Sequence, residues 1–126
     1  SAVASAVQAE WPQIVVVAMA GSVLAEIAQR QGLRVAREAF ADRMYTKSGH
    51  LVPRSDAGAS ISDPRQASEQ AVRLVDEQGV VTADGDTLPV HADTLCIHGD
   101  GENAIEIADA IRTALRQHSI VVRRFT

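Results

Sequence analysis

Residues 14–19 read IVVVAM, a continuous and largely β-branched run between Pro12 and Gly21. Apolar runs without alternation suit a strand covered on both faces. From Ser22 the period changes to that of a helix. Val23, Leu24, Ile27 and Ala28 share one face, Ser22 is placed to cap the first turn, and Gly32 to stop the last. Residues 33–39, LRVAREA, give a second strand with charges set into it. Residues 40–63 have no period; they contain Gly49, Pro53 and Gly58, and an irregular segment of that length is usually functional or disordered. Asp63-Pro64 then opens a helix with proline at its first position, and its stripe is Ala67, Ala71, Leu74 and Val75, with Gly79 as the stop. Within residues 80–90 the tetrapeptide ADGD predicts a turn between two short extended pieces. Residues 93–98 predict a third strand, residues 102–117 a helix with Ala104, Ile107, Ala108, Ile111 and Leu115 on one face, and residues 120–123, IVVR, a last short strand. Residues 1–10 read as the tail of a helix.

Strand and helix alternate, so the expected class is α/β with mostly parallel strands and flanking helices. Four strands of this type do not close a barrel, and an open set leaves unpaired edges. A truncated domain, or one that needs a partner and can self-associate as a homo-oligomer, is therefore expected. Composition changes this picture little. The 126 residues suit one domain, with 46% hydrophobic and 22% charged residues and a formal net charge of −4. No Lys/Arg stripe points to nucleic acid, and no apolar run approaches a membrane span. The opening residues carry no basic region leading into an apolar stretch, so a signal peptide is not expected, and a cytoplasmic location is the default. The single cysteine, Cys96, lies within TLCI and reads as a small core residue. His50, His91 and His118 read as surface residues, and Trp11 and Phe125 as packing residues.

In α/β proteins the reactive groups gather at the carboxyl ends of strands. Here those positions hold Gly21-Ser22, then Glu38, Asp42 and Arg43, then His98, Gly99 and Asp100. His98 can act as base, acid or metal ligand, and Asp100 can orient it or simply cap the last helix. Gly99 and Asp100 precede that helix, where free N–H groups favour an anion. Within FADRMY, Asp42 can take a proton and Arg43 can grip an anion; alternatively the two form a loop salt bridge with Tyr45 at the surface. Arg54 and Ser55 lie in a Pro/Gly loop that is either a connector or a lid carrying Arg54 over a bound anion.

REAFADRMY at 37–45, LVPRSDAGA at 51–59 and LCIHGDGENA at 95–104 occur in this order and spacing in the LamB/YcsF family. VVVAMAGSVLAEIAQRQGL at 15–33 is similar to that family's glycine–serine turn from strand to helix. The resemblance runs from about residue 14 to about residue 120 and is to the C-terminal half only. It implies an irregular β/α barrel like that of polysaccharide deacetylases, with residues 1–126 as the C-terminal portion of a single barrel domain and the N-terminal half absent. It also implies the A component of a three-component bacterial 5-oxoprolinase. That enzyme opens the lactam of 5-oxo-L-proline to L-glutamate with ATP as co-substrate, in concert with subunits B and C. The family's NADxGE, CGFHAGD-like, AHPSFPD-like and KPHG segments are missing from this sequence, so the chain is not expected to act alone. A divalent metal is possible, with ligands unknown.

Matched by motif, the catalytic candidates are His98, Asp100 and Asp42. The candidates for binding substrate or phosphate are Arg43, Arg54, Ser55, Glu38 and Gly99. Two other readings remain: a non-catalytic docking module for the partner subunits, and a deacetylase-like metal-dependent amide hydrolase.

Overall fold

The computed structural model describes residues 1–124; Phe125, expected to pack, lies outside them. Helix α1 (Ala2–Glu10) leads into strand β1 (Val15–Met19), helix α2 (Val23–Arg30) and strand β2 (Arg34–Phe40). A long connection follows, then helix α3 (Pro64–Asp76), strands β3 (Gly79–Val81), β4 (Thr87–Pro89) and β5 (Thr94–Cys96), and helix α4 (Ala104–Gln117). The strands β1, β2 and β5 form one parallel sheet in the order β1-β2-β5. Met19 lies opposite Glu38, and Phe40 opposite Cys96. The chain is therefore α/β, as its alternating periods require.

Helices α1, α2 and α3 start where the sequence provides a cap. Ser22 accepts from the Ala25 N–H, and Asp63 accepts from Arg65 ahead of a proline in the first turn. Helices α1 and α2 cover one part of the sheet through Ala4 and Ala28, which cluster with Leu33 of the following turn and with Val16 and Val35 of the strands. The apolar faces of α3 and α4 meet each other through Ala67, Ala71, Ile107, Ile111 and Leu115, with Leu95 of β5 against them. The small alanines let the two helices approach closely. β3 and β4 pair as a hairpin, with Val80 opposite Leu88 and Gly85 at φ +86° in its turn.

The structure corrects several expectations. Residues 120–123 form no strand: Val121 and Val122 are 80% and 75% exposed, and Ser119, at φ +59°, turns the chain away from α4. Backbone bonds from Ile120 N to Leu115 O and from Ser119 N to Arg116 O close that turn. The parallel strands thus number three among the described residues, not four. At the end of α3 the left-handed residue is Gln78, at φ +52°, not Gly79. Gly79 is needed for a different reason, because a Cβ there would lie 3.2 Å from the Leu88 carbonyl oxygen. Trp11, expected to pack, is 55% exposed.

The connection between β2 and α3 is more ordered than its sequence suggests. It folds back on itself, with antiparallel bridges pairing Arg43 with Ser60 and Tyr45 with Leu51. Tyr45 is not a surface residue but is 1% exposed, and its hydroxyl accepts from the Phe40 N–H at 2.9 Å. Burial pushes its phenol up from the usual range. A buried ring at the centre of the fold-back explains why a polar, glycine-containing segment holds one shape.

Candidate functional site

The carboxyl ends of β2 and β5 are adjacent because the two strands pair directly. The turn after β2 therefore carries Asp42 up to the residue that follows β5 by two positions, His98. The Asp42 carboxylate accepts the His98 backbone N–H at 2.7 Å through Oδ2, and each of its oxygens lies 3.0 Å from His98 Nδ1. An ionised carboxylate can only accept, so Nδ1 carries a proton, and in the neutral imidazole the lone pair is on Nε2. The imidazole lies against the ring of Phe40, with centroids 5.8 Å apart and planes 18° apart. Asp42 is buried, while a quarter of the His98 side chain stays open. The acid is enclosed and its histidine faces outward, which is the arrangement of an oriented base.

Asp42 and His98 border a cleft of about 300 Å³, whose other walls include Arg54, Ser60, Asp100 and Asn103. At its mouth Arg54 Nη1 lies 3.5 Å from Asp100 Oδ2, with both side chains more than half exposed. Such a pair contributes little to stability and opens readily. One side of the cleft is the start of α4, from Gly101 to Ala104. Asn103 occupies the cap position there without capping; its amide instead donates to the Ser62 carbonyl at 3.1 Å, tying α4 to the fold-back loop. The first N–H groups of α4 are thus left without a side-chain partner beside the cleft.

The sequence candidates separate into three groups. Asp42, His98, Arg54 and Asp100 come together around the cleft. Arg43 also lines it, but is 7% exposed and donates to the carbonyls of Ala59 at 3.2 Å and Val52 at 2.7 Å. Its guanidinium anchors the loop that carries Arg54. Asp42 and Arg43 form no salt bridge with each other among the described residues, since each is held by other partners. Asp100 neither caps α4 nor orients His98; Asp42 does the latter. Three candidates lie away from the cleft lining. Ser55 Oγ turns to Asp56 at 3.0 Å, because the loop exposes it to solvent beside that carboxylate. Gly99 is exposed, with open space where a Cβ would stand, and Gly101 takes its place in the wall. Glu38 points from β2 to its neighbour Cys96, whose thiol is pushed up first by burial and then by the Glu38 charge. A thiol held protonated is a poor nucleophile, in keeping with a structural cysteine.

Among the described residues no group of three or more His, Cys, Asp or Glu side chains is placed to hold a metal ion. Both oxygens of Asp42 face His98 Nδ1, so the pair offers a metal one nitrogen, His98 Nε2. No helix among the described residues is long and apolar enough to cross a membrane. Ser60, Ile61 and Ser62 line the cleft without any sequence signal, because they lie in the loop outside the motifs.

The LamB/YcsF family description matches residues 1–126, the whole chain rather than the stretch from 14 to 120. The 5-oxoprolinase A subunit of Thermus thermophilus is 48% identical over 124 residues, which cover 98% of this chain and 50% of the relative. The protein of that name from Heliobacterium modesticaldum is 48% identical over 123 residues, covering 98% and 48%. That from Mycobacterium avium is 42% identical over 125 residues, covering 99% and 50%. The crystal structure of the lactam utilization protein from Thermus thermophilus superposes with a TM-score of 0.88 at 47% identity, covering 98% of this chain and 49% of that one. The chain spans about half the length of the curated relatives it matches. The expectation of a match to the C-terminal half only does not stand: the match takes in all of this chain, and what it covers in each relative is about half. By the match of its full length, the chain belongs to the LamB/YcsF family.

Proposed function

We propose that this chain supplies the His98 side of the active site of a 5-oxoprolinase A subunit, which opens the lactam of 5-oxo-L-proline to L-glutamate with ATP. The observation that carries the reading is the buried Asp42 holding His98 Nδ1 at the edge of a polar cleft. The names of relatives 42–48% identical supply the substrate class. In this reading the parallel sheet is a segment of a β/α barrel, and subunits B and C complete the enzyme.

A lactam resists attack because its nitrogen lone pair is delocalised into the carbonyl. Transfer of the γ-phosphoryl group of ATP to the carbonyl oxygen releases ADP and gives an O-phosphorylated imidate, whose carbon is a stronger electrophile than that of the lactam. Water then adds to the carbon while its proton goes to His98 Nε2. The C–N bond breaks, the nitrogen receives a proton, and the acyl phosphate left behind is hydrolysed by a second water to the γ-carboxylate and phosphate. Asp42 holds the imidazole in the tautomer that can accept and stabilises the imidazolium that forms. Arg54 and the start of α4 face the anionic groups, the substrate carboxylate or the phosphoryl oxygens, once Arg54 leaves Asp100. No step is assigned to a metal, because the residues described here do not gather to hold one.

The direct test is conversion of 5-oxo-L-proline by the complete protein supplied with subunits B and C. Glutamate should form in step with ADP and not without ATP. Ring opening that proceeds equally without ATP would point instead to a hydrolase of the deacetylase type. Unchanged activity after alanine replaces His98 would leave only the docking role.

A further inference from the structure

Besides the Tyr45 hydroxyl on Phe40 N–H, the turn that carries Asp42 is held by a side chain of α3. Gln70, on α3, is 9% exposed and reaches thirty residues back along the chain. Its Nε2 lies 2.8 Å from the Phe40 carbonyl oxygen, 2.8 Å from that of Arg43, and 3.3 Å from that of Ala41. Three acceptors around one amide fix its orientation, since only the NH2 end can face them. Its two hydrogens match the two short contacts, and the third carbonyl shares one of them. These carbonyls bracket Asp42 on both sides. The carbonyl of Asp42 itself is taken by the Ile61 N–H at 2.8 Å. Every carbonyl from residue 40 to residue 43 therefore has a donor, and the backbone from which the Asp42 side chain reaches His98 is held in place.

We propose that Gln70 is a positioning residue of this site: its carboxamide locks the turn at residues 40–43 so that the Asp42 carboxylate meets both N–H groups of His98. The functional part of this inference rests on the reading that Asp42 and His98 are the reacting pair; the positional part does not. A buried polar side chain making three long-range contacts to one turn does more than fill space between α3 and the sheet, which an aliphatic residue would do without the cost of burying an amide. Glutamate would not substitute for it, because a carboxylate would face three carbonyl oxygens.

The test is hydrogen exchange followed by NMR on the protein and its Gln70→Met variant, which keeps the side-chain volume and loses the donors. The His98 backbone N–H reports directly, since its acceptor is Asp42 Oδ2. In the variant its exchange should quicken by at least about tenfold, the fold-change of one lost charge-assisted hydrogen bond. Val35 and Ala36, remote in the sheet, should change only as far as overall stability changes. Equal acceleration at His98 and in the sheet, or none at His98, overturns the proposal. If the variant does not fold, the unaltered protein decides: the Gln70 side-chain NH2 should give two separate, protected proton signals, and exchange at the rate of a free amide overturns it. Turnover of the complete enzyme separates the two readings. A loosened His98 with unchanged turnover upholds the positioning and refutes the catalytic role of the pair.

Discussion

Asp42→Asn tests the logic of the site with almost no change in shape. The His98 backbone N–H can only donate, so the Asn oxygen must stay on it. That leaves the Asn NH2 facing His98 Nδ1, where the carboxylate now lies 3.0 Å away. The Asn oxygen also stays 3.0 Å from Nδ1, but an NH2 facing that nitrogen disfavours a proton there and shifts the imidazole proton toward Nε2, the atom that should receive a proton from water. The variant thus holds the histidine in place and favours the wrong tautomer. A neutral pair replaces a charge-assisted one, which costs about 1–2 kcal/mol of stability, measurable as a lower urea midpoint. Turnover should fall far more, by about a hundred- to ten-thousandfold, because the tautomer that can act as general base is disfavoured and the charge that stabilises the imidazolium is gone. The assay is ATP-dependent glutamate formation by the complete enzyme at saturating 5-oxo-L-proline, with stability measured on the same preparation. A variant that keeps most of its turnover while losing the expected stability would refute the assignment of His98 as base and leave Asp42 as a structural residue.

Three further outcomes are expected. Arg43→Met removes a buried donor from two loop carbonyls and should lower stability by about 2–3 kcal/mol, with faster protease cleavage near Arg54 as the local sign. Gln78→Gly relieves a left-handed backbone at an exposed helix end and should stabilise the fold by about 1 kcal/mol in thermal unfolding; a loss of stability would contradict the geometry. The Arg37 guanidinium bonds Asp93 through both oxygens and holds its carboxyl below the usual carboxylate range. A depressed carboxylate stabilises the fold above its ordinary pKa and loses that contribution as pH falls through the folded value. Asp93→Asn should therefore cost up to about 1 kcal/mol at neutral pH, an amount limited by solvent screening, and progressively less as the pH falls below the usual carboxylate range.

Much of the fold was legible because its signals are local. The IVVVAM run, the Ser22 and Asp63-Pro64 helix starts, and the stripe through Ile107, Ile111 and Leu115 correspond to β1, α2, α3 and α4. The misplaced strand at residues 120–123 has the β-branched composition of a strand but no neighbour to pair with, and pairing is what composition cannot show. The fold-back at residues 41–62 was hidden because a buried tyrosine and an arginine bound to carbonyls hold it, and both read from sequence as exposed polar groups.

The same division runs through the site. Strand-end reasoning brought Asp42, His98 and Asp100 into view. It paired His98 with the nearby Asp100 rather than with Asp42, fifty-six residues away. Only the β2–β5 register makes that contact. Gln70 was invisible for the same reason, since its partners lie on another element.

The proposed chemistry stands most directly on His98. In the complete enzyme with subunits B and C, His98→Ala should lower ATP-dependent conversion of 5-oxo-L-proline to glutamate by about a hundredfold or more, without loss of assembly. A His98→Ala enzyme that assembles and turns over at the unaltered rate would contradict it, and the Asp42–His98 pair would then be part of the scaffold.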